Sequence, residues 1–332
     1  MNHHFYCFLP GLLPESKFTF SKPFGNLACL LSKAQAYEAQ QYSVEGQISQ
    51  FFNLATKQLP AGALSAYYYD AIAVDNHHQV YCRVDPIHTR LDAHTVFLVE
   101  SLTEALSLSE TQEIQTQFNT LLADDHALSC QPKSWFFPLS QSPDVSVNPL
   151  WEVLGKSLHC RLPSGPEAAH FQRLATECEM ILKSLSCNQQ RLVDDLPTID
   201  SLWFWGIGSL PFNPKTHFKT VFSNEDCIKG LAKCAGIQYA DIPSVPNLHS
   251  EASEILLVDT ALLHLMAKGD IEGWQNLIKT YDEGWAAFLL DGLQSGDIAK
   301  VTLNVGKNMS YTLTKKNLHY FWRRNKPLEY FV

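Results

Sequence analysis

Ile255-Leu256-Leu257-Val258-Asp259-Thr260-Ala261-Leu262-Leu263-His264 opens on four consecutive apolar residues, and that unbroken run decides the fold class. A strand wetted on one face alternates apolar with polar, whereas a strand covered on both faces is apolar throughout. Downstream, Ile271, Trp274, Leu277, Ile278, Tyr281, Trp285 and Phe288 recur at helical spacing and predict one long amphipathic helix. Ala299 to Val305 reads as another strand. Strand and helix in alternation predict an α/β chain with a doubly wound, mostly parallel central sheet.

The same reading extends toward the N-terminus. Phe5-Tyr6-Cys7-Phe8-Leu9 is a first strand, followed by turn residues Pro10, Gly11 and Pro14. It is short and has no basic lead, unlike a signal peptide. Asn26 is expected to cap a short helix, and Glu45 to Lys57 has helical spacing. Residues 60–74 fit either state. Asp75 to His78 reads as a turn. Strands at Gln79–Val84 and Thr95–Val99, a helix at Ser109–Leu122 with a Ser109/Gln112 box, and strands near Ala127 and at Ser134–Leu139 then follow. This block, residues 76–160, predicts an inserted α+β domain with its own small sheet. Ser164-Gly165-Pro166-Glu167 predicts a capped helix, whose stripe is Phe171, Leu174, Cys178, Leu182 and Leu185. Ile199 to Trp205 is a buried strand, and Asn224 starts a helix that Gly236 closes.

Composition removes several function classes. The chain has 332 residues, with 25 Lys and Arg against 34 Asp and Glu, a net charge of −9. This balance argues against a nucleic-acid sleeve or a binder of anionic membranes. No stretch approaches the roughly 20 apolar residues of a spanning helix. Nine cysteines without a CxxC pair form neither a disulfide framework nor a zinc ribbon. Cys227 and Cys234, at i and i+7 on one helix, lie roughly 10 Å apart, too far to bridge. HExxH, P-loop and GxSxG motifs are all missing.

Four clusters remain as candidates for chemistry. In Asp85-Pro86-Ile87-His88-Thr89-Arg90, Asp85 could orient His88 while Arg90 grips a phosphate or carboxylate; the residues suit an ordinary inter-strand loop equally. Asn188 and Arg191 could hold an oxyanion, although a plain helix exit also explains them. Gly206-Ile207-Gly208 closes the strand Ile199–Trp205 and lets backbone approach a ligand or simply turn; no GxGxxG helix follows. Asp259 and His264 sit where α/β chains place ligands, as a weak metal pair or as a helix cap with a packing His. The basic run Trp322-Arg323-Arg324-Asn325-Lys326 is too short for a nucleic-acid surface but could meet a single phosphate or an acidic partner.

Together, Cys82-Arg83-Val84-Asp85-Pro86-Ile87-His88, Asn188-Gln189-Gln190-Arg191, Ser201-Leu202-Trp203-Phe204-Trp205-Gly206-Ile207-Gly208 and Phe321-Trp322-Arg323-Arg324-Asn325-Lys326-Pro327-Leu328 resemble the RpfE-type regulatory proteins. This bacterial group is often described as cofactor-independent phosphoglycerate mutase-like, and the likeness covers nearly the whole chain in the same order. A more distant likeness is to the archaeal-type cofactor-independent phosphoglycerate mutases of the alkaline phosphatase superfamily. Asn188, Arg191, Gly206, Gly208, Pro211, Lys229-Gly230 and Ala235-Gly236 stand at its motif positions. The resemblance implies an alkaline phosphatase-like core of residues 1–75 and 161–332 around the insertion.

Superfamily catalysis uses two divalent metals such as Mn or Zn, held by Asp and His, and a Ser or Thr that takes the phosphoryl group. Here the first strand ends Phe8-Leu9-Pro10-Gly11-Leu12-Leu13 without a carboxylate, and Val305 runs into Gly306-Lys307-Asn308 where the family has an Asp-His pair. Asp259, and loosely His264, stand for the other metal cluster. The leading expectation is a catalytically degenerate, cytoplasmic protein without a cofactor and without an assigned catalytic residue. Its role would be regulatory or phospho-ligand binding, through a pocket of Asp85, His88, Arg90, Asn188, Arg191, Gly206 and Gly208. The expected partners are a phosphorylated small acid or a regulatory protein, with no nucleic acid and no membrane. An active phosphomutase or phosphatase with displaced ligands, and a purely structural partner protein, stay open.

Overall fold

The computed structural model describes residues 3–13, 24–38, 43–56, 58–72, 76–92, 94–122, 127–246, 253–306, 309–320 and 322–331. Pro14, Lys57, Asp75, Lys307, Asn308 and Phe321, named in the expectations above, lie outside them. In chain order the strands are β1 His3–Phe8, β2 Gln35–Glu38, β3 Val80–Asp92, β4 Thr95–Ser101, β5 Ser129–Cys130, β6 Trp135–Leu139, β7 Ser201–Gly208, β8 Thr220–Ser223, β9 Gln238–Ala240, β10 Glu254–Val258, β11 Ile298–Asn304 and β12 Met309–Thr314. The helices are α1 Gly25–Lys33, α2 Val44–Phe51, α3 Ala61–Tyr68, α4 Leu108–Leu121, α5 Leu150–Val153, α6 Ala168–Ser184, α7 Ser186–Val193, α8 Asp226–Cys234, α9 Ala261–Lys268, α10 Ile271–Tyr281, α11 Ala287–Ser295 and α12 Lys315–Leu318.

The chain divides into two compact units. The first, residues 1–55, 214–225 and 235–332, holds a sheet in the order β2-β12-β11-β1-β10-β8-β9. β1 pairs parallel with β10 and β11, β10 with β8, and β8 with β9; β12 is antiparallel to β11 and β2. The apolar run Ile255–Val258 is buried throughout, as a strand covered on both faces requires. On one face Phe5, Cys7, Ile255 and Leu257 share a core with Leu27, Leu30, Trp274, Ile278 and Leu289. On the other, Tyr6 and Phe8 meet Phe51 edge-on.

The long helix expected from Ile271 onward is interrupted by a π turn at Asp282–Ala286 before it continues as α11. At the first residue of that turn, the Asp282 carboxylate accepts the Leu27 amide at 2.6 Å and its carbonyl accepts Asn26 Nδ2 at 2.9 Å. Asp282, not Asn26, therefore satisfies the open N-terminus of α1, where Phe24 is the N-cap and makes no side-chain bond.

The second unit, residues 56–213 and 226–234, holds the sheet β4-β3-β6-β5, with β7 added alongside β3. Asp85 to Arg90, expected as an inter-strand loop, lies inside the thirteen-residue β3. β3 pairs with β6 through Val84 and with β4 from Ile87, so Pro86 falls between the two partners, where a missing N–H breaks no ladder bond. β7 pairs with β3 from Ile87↔Ser201 to Tyr81↔Gly208, and α6 sets Phe171, Leu174, Cys178 and Leu182 into one core with Leu202 and Phe204. Residues 161–213 consequently pack with this sheet, and the compact units change over at 55/56, 213/214, 225/226 and 234/235, whereas the expected insertion is 76–160.

Local details also shift. The capping box of α4 is Ser107/Glu110, with Glu110 Oε2 accepting the Ser107 amide at 2.7 Å. α6 starts at Ala168 behind Glu167, whose carboxylate instead accepts the Asp144 amide at 2.5 Å. α8 starts at Asp226, two residues after Asn224. Residues 61–68, left open by the sequence, are helical. Among the described residues no helix is long and apolar enough to cross a membrane.

Candidate functional site

Parallel strands bring their carboxyl ends to one edge of a sheet, where α/β folds place ligands. In the first unit that edge is made by Glu225 after β8, Asp259 after β10, Leu9-Pro10-Gly11 after β1 and Asn304-Val305-Gly306 at the end of β11. Asp259 is 6% exposed, and its carboxylate accepts the Ala261 amide at 2.9 Å and the Tyr281 hydroxyl. Burial pushes the Asp259 carboxyl above its ordinary range, against the pull of those bonds and of nearby His264. The Tyr281 hydroxyl is raised as well, first by burial and then by the facing carboxylate. Thr260 Oγ1 donates to Glu225 Oε1 at 2.5 Å. Asn304 Nδ2 reaches Tyr6 Oη and Gln47 Oε1, both at 3.3 Å, while its Oδ1 accepts the Gly306 amide at 2.9 Å.

The end of β1 closes this edge with apolar packing. Leu9, Leu12 and Leu13 are buried, and Gly11, at φ +86°, lies so close to α9 that a Cβ would stand 2.6 Å from the Leu263 nitrogen. Gly306, at φ +77°, comes nearly as close to Pro10, whose Cβ would stand 2.8 Å from an added Cβ. Two metals neutralising a phosphate need several carboxylates and imidazoles converging on a shared pair of points. Among the described residues no three His, Cys, Asp or Glu side chains are grouped to hold a metal. Asp259 is engaged by Tyr281 and Ala261, and Glu225 by Thr260, so the donor set does not fit a two-metal centre.

The seven residues expected to line one pocket all fall in the second unit but make separate attachments. Asp85, 1% exposed, accepts Arg83 Nε at 3.3 Å and Nη2 at 3.4 Å, Thr103 Oγ1 at 3.0 Å and Trp205 Nε1 at 2.6 Å. His88, three residues along the strand, belongs to the opposite face by strand alternation. Its Nδ1 lies 2.9 Å from the Thr198 carbonyl and 3.1 Å from Asp200 Oδ2. Arg90 is exposed at the outer end of β3. Asn188 clamps the chain after α7, donating to the Leu182 and Ile199 carbonyls and accepting the Ile199 amide at 2.8 Å.

Arg191 donates to the Pro197 carbonyl at 2.6 Å and to Glu110 Oε1 at 2.9 Å. Burial disfavours the Glu110 charge, but bonds from Ser107 and Arg191 outweigh it and hold this carboxyl below its usual range. Gly206, at φ +58°, and Gly208 admit α3 and the residue before it; Cβ atoms there would stand 2.6 Å from Ala61 and 2.8 Å from Pro60. Close approach of the chain itself, and not of a ligand, explains both glycines.

Two features escape the sequence reading. Asp226 and Lys229 form a buried ion pair at 3.2 Å, in which the carboxylate also accepts Tyr69 Oη at 2.8 Å and Ser134 Oγ at 3.0 Å. Lys229 Nζ stands 4.5 Å from the Tyr68 ring. The Asp-x-x-Lys spacing was visible, but its partners lie far away in sequence. A groove of about 650 Å³, bordered by Thr89, Leu91, Val96, Leu162, Lys183 and Asp200, also forms in this unit. Within it the Asp200 carboxylate accepts the Thr89 amide and hydroxyl and the Thr198 hydroxyl.

With this geometry in view, comparisons place the chain among known proteins at a distance. No family model matches it. It is 26% identical over 181 residues to a 2,3-bisphosphoglycerate-independent phosphoglycerate mutase of Methanothrix thermoacetophila, covering 48% of this chain and 46% of that one. It is 25% identical over 174 residues to the protein of that name from Methanosarcina barkeri, covering 46% and 44%. The chain thus spans about half the length of the curated relatives it matches. Its fold is similar to that of the PH0037 protein from Pyrococcus horikoshii, with a TM-score of 0.54 at 10% identity over 94% of this chain and 87% of that one.

Proposed function

We propose that this chain is a phosphoglycerate mutase-like protein that no longer carries out metal-assisted phosphoryl transfer and acts instead in regulation or in binding a phosphorylated small acid. The observation that carries this reading is the state of Asp259: the carboxylate best placed for a metal is buried under the Tyr281 hydroxyl and the Ala261 amide. The apolar closure by Leu9, Leu12 and Leu13 at the end of β1 supports it, as does the low-identity match to phosphoglycerate mutases. We further read the parallel sheet, with apolar packing on both faces, as the doubly wound core of the alkaline phosphatase type. The shared motif order supports a place among the RpfE-type regulatory proteins.

The decisive test is a phosphoglycerate interconversion assay with manganese, run beside metal analysis of the purified chain. No turnover and no stoichiometric metal are expected; both together would overturn the reading and restore the active phosphomutase. For the binding role, a thermal-shift series with phosphoglycerates is expected to raise the melting temperature, and a flat series across phosphorylated acids leaves regulation through a protein partner.

A further inference from the structure

The whole-chain charge conceals a segregation. Residues 1–297 carry 18 Lys and Arg against 33 Asp and Glu, whereas residues 298–332 carry 7 against 1. Five of those cations stand between Lys315 and Lys326. The first unit holds this segment in place. Lys33 Nζ donates to the Tyr320 carbonyl at 2.8 Å, and the Lys326 amide donates to Ser32 Oγ at 2.8 Å. Arg323 Nη1 donates to the Lys33 and Ala34 carbonyls at 2.9 and 2.6 Å, satisfying groups that the end of α1 leaves open. Leu328 is buried in the core just beyond.

Fixed in this way, the segment presents Lys315, Lys316, Arg324 and Lys326 to solvent. Aromatic rings lie among them. Trp322, 63% exposed, stacks on Tyr320 with ring centres 4.8 Å apart, and Lys326 Nζ stands 3.4 Å from the centre of the Tyr330 ring.

We infer that this surface docks an acidic peptide segment of a partner protein, with an apolar side chain next to its carboxylates. The guanidinium and ammonium groups complement the carboxylates, and the exposed Trp322 ring offers apolar contact beside them. Two observations favour a short peptide over a nucleic-acid strand. The excess of acid over base in residues 1–297 repels a long polyanion outside the patch. In addition, Tyr320 covers one face of Trp322 and Lys326 one face of Tyr330, so the rings are not a run of open stacking platforms. The patch is separate from the strand-end site, and its test reads neither metal nor turnover.

A fluorescently labelled peptide of alternating Glu and Leu, and its Gln counterpart, are titrated with the full chain by anisotropy at low and physiological salt. The Glu peptide is expected to bind more weakly as salt rises, and the Gln peptide not to bind. Arg324→Glu/Lys326→Glu is expected to weaken binding about tenfold with the melting temperature lowered by no more than a few degrees, since both side chains are exposed and the Lys326–Tyr330 contact is the packing lost. Lys156→Glu, exposed in the second unit, leaves binding unchanged. Equal affinity for the Gln peptide, or full affinity in the double variant, overturns the inference. Tighter binding of a single-stranded oligonucleotide than of the Glu peptide overturns it too and assigns the surface to nucleic acid.

Discussion

Replacing Asp85 with Leu tests whether the buried Asp85–Arg83 pair is structural. Asp85 is 1% and Arg83 5% exposed, and the carboxylate faces the Arg83, Thr103 and Trp205 side chains together. Removing it breaks a buried ion pair on a guanidinium that also donates to the Lys133 carbonyl and lies over the Trp205 ring, which costs about 3–5 kcal/mol. The Thr103 hydroxyl and the Trp205 indole N–H lose an acceptor as well, at roughly 1–3 kcal/mol each if nothing replaces it. In Arg83→Met/Asp85→Leu the buried charge is gone, and the Thr103 and Trp205 donors and the Lys133 carbonyl, which Arg83 Nη2 reaches at 3.1 Å, are what remain to be satisfied. The double variant is therefore expected to be more stable than the single one by about 2 kcal/mol or more.

For a unit of this size the ion-pair loss alone corresponds to a fall in melting temperature of roughly 6–20 °C. Thermal and urea unfolding followed by far-ultraviolet circular dichroism give the comparison. A single variant within about 1 kcal/mol of the parent, or a double variant as unstable as both singles added, would refute the reasoning. Lost phosphoglycerate binding at an unchanged melting temperature would instead make Asp85 a ligand-binding group.

Arg191→Ala removes the bonds to Glu110 and the Pro197 carbonyl and is expected to cost about 2–3 kcal/mol in the same assays, lowering stability whether or not a phosphorylated acid is present. Gly230→Ala would put a Cβ 2.0 Å from the Leu64 carbonyl oxygen, backbone that cannot swing aside, so a loss of roughly 1–3 kcal/mol is expected on urea unfolding. Because the Asp259 carboxyl is raised in the folded chain, its stabilising effect is full below the ordinary Asp range and is lost as pH rises through the folded value. Asp259→Asn should remove that component from a stability–pH profile, and an unchanged profile would count against it. Glu110 is lowered and acts in the opposite sense; Glu110→Gln should remove a contribution present above the ordinary Glu range and lost on acidification.

Some of this architecture was legible because local pattern carried it. Ile255–Val258 reads as a strand covered on both faces from four residues alone, and the stripe Phe171-Leu174-Cys178-Leu182 recurs as the buried side of α6. The site was less legible. Asp85, His88 and Arg90 are close in sequence, but side chains three apart on a strand face opposite ways, which parts Asp85 from His88, and Arg90 stands exposed at the outer end of the strand, so closeness along the chain did not become convergence. The glycines at 206 and 208 read as a turn or as backbone approaching a ligand, yet what comes close to them is Pro60 and Ala61, some 145 residues earlier.

The sequence by itself determined which segments must be hidden from water, because apolar periodicity is set within a few residues, and it determined the lack of a carboxylate after the first strand. Tertiary structure alone decided which polar groups meet. Tyr281 reaches Asp259, Arg191 reaches Glu110 and Asp226 reaches Tyr69 across 22, 81 and 157 positions. A hydrogen bond depends on position in space, and only the packed sheets and helices bring such distant residues within bonding range.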